Sequence, residues 1–153
     1  MGQFKHSITI KCPIDKAFDY VSDWQNLKSF LSNLIDINPV SYVQSGPGAA
    51  FDATFKLGGA NILTTLEVYE FVRDKRMILR SRQGLKIIGG WDFRKTADGT
   101  SIAFSLQFEL PAGFVRNVGD KARIEKDFDD AAAQSLQLLK WILESSTLQD
   151  SIG

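Results

Sequence analysis

The sequence predicts an α+β fold in which a curved, seven-stranded antiparallel sheet packs against one long C-terminal helix. Three observations carry that expectation. Residues 113–146 contain no proline and one interior glycine, Gly119. Within them Ile124, Phe128, Ala132, Ser135, Leu139, Ile142 and Leu143 recur at helical spacing. At about 100° per residue they form one stripe, with Asp127, Asp130, Gln134, Gln137 and Glu144 on the other side. Between Leu34 and Leu110 the helical period vanishes, and turn residues interrupt runs of two-residue alternation. A long helix with one apolar face needs a broad apolar partner, and the strands supply it.

In chain order, residues 3–11 read as a strand with Phe4, Ile8 and Ile10 as its heavy side chains, and Pro13 ends it. Ile14, Ala17, Phe18 and Val21 then have the spacing of a short helix. Ser22 and Gln25 sit three apart and suit a capping box for a second one, which would bury Trp24, Leu27 and Leu31 or a subset of them and stop near Asn33. Turn signals follow at Gly46-Pro47-Gly48, Gly58-Gly59-Ala60-Asn61, Asp74-Lys75, Gln83-Gly84 and Asp98-Gly99. They cut the region into strands near 34–44, 49–57, 61–72, 76–83, 86–96 and 100–110. Connections this short force antiparallel neighbours. Pro39 lacks an N–H and puts its strand at an edge. Gly89-Gly90, inside a strand, suggests a bulge, a sharp bend where the sheet curls or a close backbone approach, with direct backbone contact to a ligand as the alternative.

Alternation sets the inner face. Phe51, Ala53, Phe55 and Leu57 oppose Asp52, Thr54 and Lys56; Met77, Leu79 and Ser81 oppose Arg80 and Arg82. Trp91 and Phe93 oppose Asp92 and Arg94; Ile102, Phe104, Leu106, Phe108 and Leu110 oppose Ser101, Ser105, Gln107 and Glu109. Arg80, Arg82 and Arg94 are expected to share the wet face with Asp92 as a charge ladder.

Composition narrows the function. The 153 residues show no linker, repeat or low-complexity stretch, so one domain spanning 1–153 is expected. A net charge of zero removes broad electrostatic binding of nucleic acid or an anionic membrane. Cys12 is the only cysteine, which excludes an intramolecular disulfide and a cysteine-cluster metal site. No run approaches the ~20 apolar residues of a membrane span, and the N-terminus lacks a signal-peptide pattern, so the cytoplasm is the expected setting. No His-x-x-x-His or clustered carboxylate motif suggests a metal. The glycine pairs do not precede helices, so no phosphate-binding loop is expected and no cofactor either. With His6 the only histidine, a Ser-His-Asp or Cys-His site has little support, and His6 reads as a structural or surface residue.

What remains is the space between sheet and helix. Phe51, Phe55, Leu66, Leu79, Trp91, Phe93, Phe104, Phe108 and Phe128 either line a pocket there or fill it. Ala53, Thr64, Ser81, Gly89, Ala132 and Ser135 are small and leave volume; Thr64, Ser81 and Ser135 also offer hydroxyls to orient an apolar ligand, or else bond locally. Trp141 falls off the helical stripe, beside Gln134 and Gln137. It marks either a surface for self-association or a partner, or packing on the first strand or the short helices.

Several local patterns accompany this order: Pro13-Ile14-Asp15-Lys16-Ala17-Phe18 opening the first helix, Asp23-Trp24 between the helices, and Val68-Tyr69-Glu70-Phe71 before a charged turn. Asp98-Gly99-Thr100 opens the last strand, and Leu138-Leu139-Lys140 lies near the end. With these the chain resembles the START-like (SRPBCC) superfamily, which includes the birch-pollen-allergen fold, polyketide cyclase/dehydrase-like proteins and coenzyme Q-binding proteins. The resemblance implies a helix-grip fold, with two short helices between strands one and two and a deep apolar cavity. Members bind lipids, sterols, polyketides, quinones or plant hormones, and some catalyse cyclisation or dehydration. The expected function is therefore binding of a small hydrophobic or amphipathic ligand, as carrier or sensor. The alternatives are a cyclase or dehydratase without metal or nucleotide cofactor, and an interaction module with a vestigial cavity. Openings are expected at 58–61, 83–85 and 111–114, with residues 112–123 as a gate.

Overall fold

The computed structural model describes residues 2–57, 59–110 and 121–152, with side chains to residue 146. The order is β1 (Gly2–Ile10), α1 (Ile14–Ser22), α2 (Trp24–Phe30), β2 (Leu34–Pro39), β3 (Ala50–Leu57), β4 (Ala60–Val72), β5 (Arg76–Gly84), β6 (Lys86–Lys95), β7 (Thr100–Glu109) and α3 (Lys121–Ile152). The turn residue Gly58, the opening at 111–114, Gly119 and most of the expected gate lie outside the described residues.

The strands form one seven-stranded antiparallel sheet in the order β1-β7-β6-β5-β4-β3-β2. This is the helix-grip arrangement, with α1 and α2 between the first two strands. Pro39 closes β2, which is an edge strand as its missing donor requires. That strand ends sooner than the expected residue 44. The Ser41 hydroxyl takes over where the ladder stops, accepting from the Ala50 N–H at 2.8 Å and donating to the Val43 carbonyl.

Asp23, not Ser22, starts α2. Asp23 is the extended residue between the two helices (φ −88°, ψ 114°), and its carboxylate accepts from the Gln25 N–H at 3.0 Å. Ser22 still belongs to α1, where its hydroxyl donates to the Asp19 carbonyl at 3.4 Å. The expected capping box therefore does not form. Leu27 and Phe30 are the buried side chains of α2; Trp24 and Leu31 are half-buried.

The bending expected at Gly89-Gly90 is not a bulge there. Through both glycines β6 keeps an unbroken register with β5 and β7. The irregularities fall elsewhere: opposite Thr65 and Leu66 the extra residue is Arg82 of β5, while Tyr69 of β4 and Ile35 of β2 are the extra residues between Val68 and Glu70 and between Leu34 and Asp36. A bulge adds a residue to one strand and increases its bend. Opposite the extra residue Arg82, Thr64, Thr65 and Leu66 of β4 are buried in succession.

On α3 the buried stripe is Ile124, Phe128, Ala132, Ser135, Leu136, Leu139 and Leu143, with Ile142 half-buried. Leu136 is the one buried member that the spacing argument left out. The helix lies across β1 and is tied to that end of the molecule by polar contacts. His6 Nε2 meets Asp129 Oδ1 at 2.5 Å, Lys140 Nζ donates to the Thr9 carbonyl at 2.8 Å, and Glu144 accepts from the Lys11 N–H at 2.9 Å. Trp141 is 70% exposed, so the packing alternative for it fails.

The charge ladder on the outer face is real but wired differently. Asp92 pairs with Arg76 at 2.9 Å, because those two are register partners, while Arg80 and Arg82 share Glu67 at 2.9 and 3.6 Å. Core residues from Ile10 to Leu143 form one apolar cluster between the sheet and the helices.

Candidate functional site

Inside that cluster lies a cavity of about 70 Å³. Its floor comes from the inner face of the sheet: Phe55, Leu66, Leu79, Ile87, Gly89, Trp91, Phe104 and Leu106. Phe128, Ala132 and Ser135 of α3 form the roof, and Leu27, Leu31 and Asn33 close the α2 end. The space exists because three facing positions are small. A Cβ added at Gly89 would sit 3.5 Å from Leu106 Cδ1 and 3.7 Å from Phe104 Cε1, in ordinary contact, so the absent side chain leaves an unfilled site. Ala132 and Ser135 thin the roof above it.

The aromatic side of the wall is held by its own packing. Trp91 stacks on Phe104 with centroids 4.2 Å apart, and Phe30 meets the Trp91 ring edge-on at 5.8 Å. Phe128 is backed by Phe108, with centroids 4.2 Å apart.

Of the residues read from the sequence as cavity lining, the structure brings Phe55, Leu66, Leu79, Trp91, Phe104, Phe128, Ala132 and Ser135 to this wall. Phe51 instead borders a second void of about 20 Å³ and packs on Trp24. Ala53 is buried between its register partners Ile37 and Thr64, off the wall. Phe93 lies under α1 against Phe18, with centroids 5.1 Å apart. Phe108 stands one layer behind Phe128. Leu27, Leu66 and Leu79 border both voids, so rotamer changes in three side chains would join them.

Two of the expected ligand-orienting hydroxyls are spent on the fold. Thr64 Oγ1 donates to the Gln83 and Leu85 carbonyls, each at 3.1 Å, which pins the β5–β6 turn. Ser81 Oγ accepts from the Ile87 N–H at 3.0 Å. The third, Ser135, reaches the cavity but is also committed. It donates to the Ala131 carbonyl four residues back at 2.6 Å and accepts from the Ser32 N–H at 3.0 Å. The polar group that stays available is Asn33, half-buried on the wall; among the described residues nothing hydrogen-bonds its carboxamide. Asn33 reads from sequence only as a helix stop. Ile87 and Leu106 were legible by parity with Trp91 and Phe104.

Among the described residues none on the wall is titratable, so none of these can pass a proton at neutral pH. Among the described residues no group of three or more His, Cys, Asp or Glu side chains could hold a metal.

A family model described as polyketide cyclase / dehydrase and lipid transport matches residues 1–144. The chain belongs to that family. As a member of the cyclase/dehydrase and lipid-transport family, it is a hydrophobic-ligand-binding or polyketide-cyclase-type module. Among curated proteins none matches it. Solved structures share the fold at low identity. TTHA0849 from Thermus thermophilus is 18% identical with a TM-score of 0.76, over 94% of this chain and 98% of that one. The di-domain ARO/CYC StfQ from the steffimycin biosynthetic pathway is 14% identical with a TM-score of 0.74, over 95% of this chain and 52% of StfQ. A START superfamily protein from Mycobacterium smegmatis is 13% identical with a TM-score of 0.68, over 97% and 99%. Among the described residues of this family member no helix is long and apolar enough to cross a membrane.

Proposed function

We propose that the protein binds a small apolar or amphipathic molecule between the sheet and α3, as a carrier or sensor. One observation carries the reading: among the described residues the wall is apolar except for Asn33 and Ser135, and of these two Asn33 has a polar group without a hydrogen bond to turn toward a ligand. A few placed polar groups on an apolar wall fix orientation without demanding charge. The ligand class that fits is mainly hydrocarbon or aromatic, with one carbonyl or hydroxyl.

The cavity of about 70 Å³ is well below the ~300–1,000 Å³ of most ligand pockets. The void at Phe51, which shares Leu27, Leu66 and Leu79 with it, adds only about 20 Å³, so binding requires these walls to move apart as well as the two voids to merge. The same small volume favours a second reading, an interaction module whose cavity is vestigial. A cyclase or dehydratase role gains no support from the described residues of the wall, which include no acid or base.

Native mass spectrometry of protein purified from its source tests the proposal. A co-purifying apolar mass supports binding, and turnover of that molecule would make the protein an enzyme. An empty protein that takes up no apolar probe in a saturable way would leave the vestigial-cavity reading in first place. Delivery of such a molecule within the cytoplasm is the setting that goes with the carrier role, and cell fractionation tests it.

A further inference from the structure

Within the one sheet, β5 and β6 pair over only part of their length. β5 stays paired with β4 as far as Gly84, and β6 stays paired with β7 from Lys86, yet pairing between β5 and β6 ends at Arg80–Ile88. Beyond that point the two strands part. One bond, from the Ile87 N–H to Ser81 Oγ, still crosses the gap. The parting opens a groove of about 450 Å³ in the sheet itself, larger than the internal cavity.

The two sides of this slit have different chemistry. On the inner side stand Ile87 and Phe108, register partners that are 6% and 2% exposed. Ile87 borders both the groove and the internal cavity, and Phe108 backs the cavity residue Phe128. On the outer rim stand Arg80, Arg82 and Lys86. Arg80 is committed to Glu67 at 2.9 Å and lies over the Tyr69 ring at 4.1 Å. Arg82 and Lys86 are held only loosely, at 3.6 Å from Glu67 and 3.9 Å from Glu109, with side chains 56% and 80% exposed. Among the described residues three cations thus face two carboxylates, a local positive excess on a chain whose net charge is zero.

We infer that this slit is the mouth of the cavity and that it selects amphipathic ligands with an anionic head. The apolar body passes Ile87 into the space under α3. The carboxylate, sulfonate or phosphate stays at the rim, on Arg82 and Lys86, where a charge-assisted bond costs little desolvation. The inference rests on the binding reading above and adds the charge of the ligand and its route.

Two probes with one apolar body separate the two claims. 1-Anilinonaphthalene-8-sulfonate carries the anion; N-phenyl-1-naphthylamine has the same ring system without it. Fluorescence titration of the intact protein should give saturable uptake of both. Arg82→Gln/Lys86→Gln should weaken the sulfonate about fivefold, from two exposed charge contacts, and leave the neutral probe unchanged. Arg94→Gln, toward the far end of β6, removes one charge without touching the rim and should leave both titrations as they were. Added salt should weaken the sulfonate alone. If the wild type takes up both probes and the double variant binds the sulfonate as well as before, or loses both equally, the anionic mouth is refuted and the cavity stands. If the wild type takes up neither, the cavity reading itself fails, and this inference goes with it.

Discussion

Gly89→Ala should make the protein more stable and bind apolar probes less well. Glycine in the middle of a strand normally costs about 0.5–1 kcal/mol against alanine. Gly89 has no positive φ that would strain an alanine, and its Cβ would meet Leu106 and Phe104 at 3.5 and 3.7 Å without overlap. Burying one more methyl in the cavity adds about 0.8 kcal/mol. The void can supply that much: at ~24 cal/mol per Å³, a cavity of about 70 Å³ costs roughly 1.7 kcal/mol. The sum is a gain of about 1–2 kcal/mol, or roughly 3–6 °C in melting temperature for a domain of this size. Gly90→Ala is the internal control. It faces outward, its Cβ would crowd Ser105 Oγ at 3.1 Å, and it should gain less. Circular dichroism melts of the three proteins, with N-phenyl-1-naphthylamine titrations alongside, decide the matter. A lower melting temperature for Gly89→Ala, or undiminished probe binding, would mean that Gly89 does not face open space.

Ser135→Ala removes the acceptor of the Ser32 N–H and should cost about 1–2 kcal/mol; hydrogen exchange should show the Ser32 amide opening before its neighbours, and an unchanged rate there would refute the tie. The Glu144 carboxyl is held below its ordinary value of 4.5, first by the Lys11 N–H and further by Lys140, against the opposing effect of burial. A depressed folded-state value means stability that is present above pH 4.5 and is lost as the pH falls through the folded value. Wild type should therefore be more stable than Glu144→Gln near pH 6, with the difference shrinking toward zero near pH 3; a pH-independent difference in urea midpoints would contradict this. Trp141→Ala should leave the melting temperature unchanged, because the indole is 70% exposed. If the indole serves as a contact surface, light scattering at high concentration should show a lower apparent mass for the variant than for wild type.

Periodicity made most of the architecture legible. Every strand from β3 to β7 appears within a few residues of its expected bounds, since alternation and turn residues act locally. Pro39 announced its edge through a missing donor. Errors arose where a local pattern had two solutions. Ser22 and Asp23 both suit a helix cap, and only the backbone path decides that the chain turns at Asp23. Inward-facing polar groups look alike in sequence, but Thr64 and Ser81 serve the β5–β6 turn, while nothing among the described residues bonds the Asn33 carboxamide. The site was half visible for a related reason. Parity says which side chains point inward, not which of them meet one another. Phe93 and Trp91 share a face, yet one lies under α1 and the other on the cavity wall. The parting of β5 from β6 left no local signal beyond the glycine at position 84, whose φ is 87°.

The position of β1 in the sheet has a consequence for the ribosome. Strands β2 to β7 pair with sequence neighbours, so that part of the sheet can grow hairpin by hairpin as it emerges. β1 cannot join it then, because its partner in the sheet is β7, and Ile10 pairs with Thr100. At ~5–20 residues per second the first strand waits roughly 5–20 s for its mate. Throughout that interval the nascent chain carries an orphan strand, and once β7 emerges it offers an open edge as well. Lys5, Ser7 and Thr9 make one face of that strand polar, which restrains it from pairing with strangers. α3 docks on β1 and is made after every strand, so the space beneath it closes only once the earliest and latest elements have met.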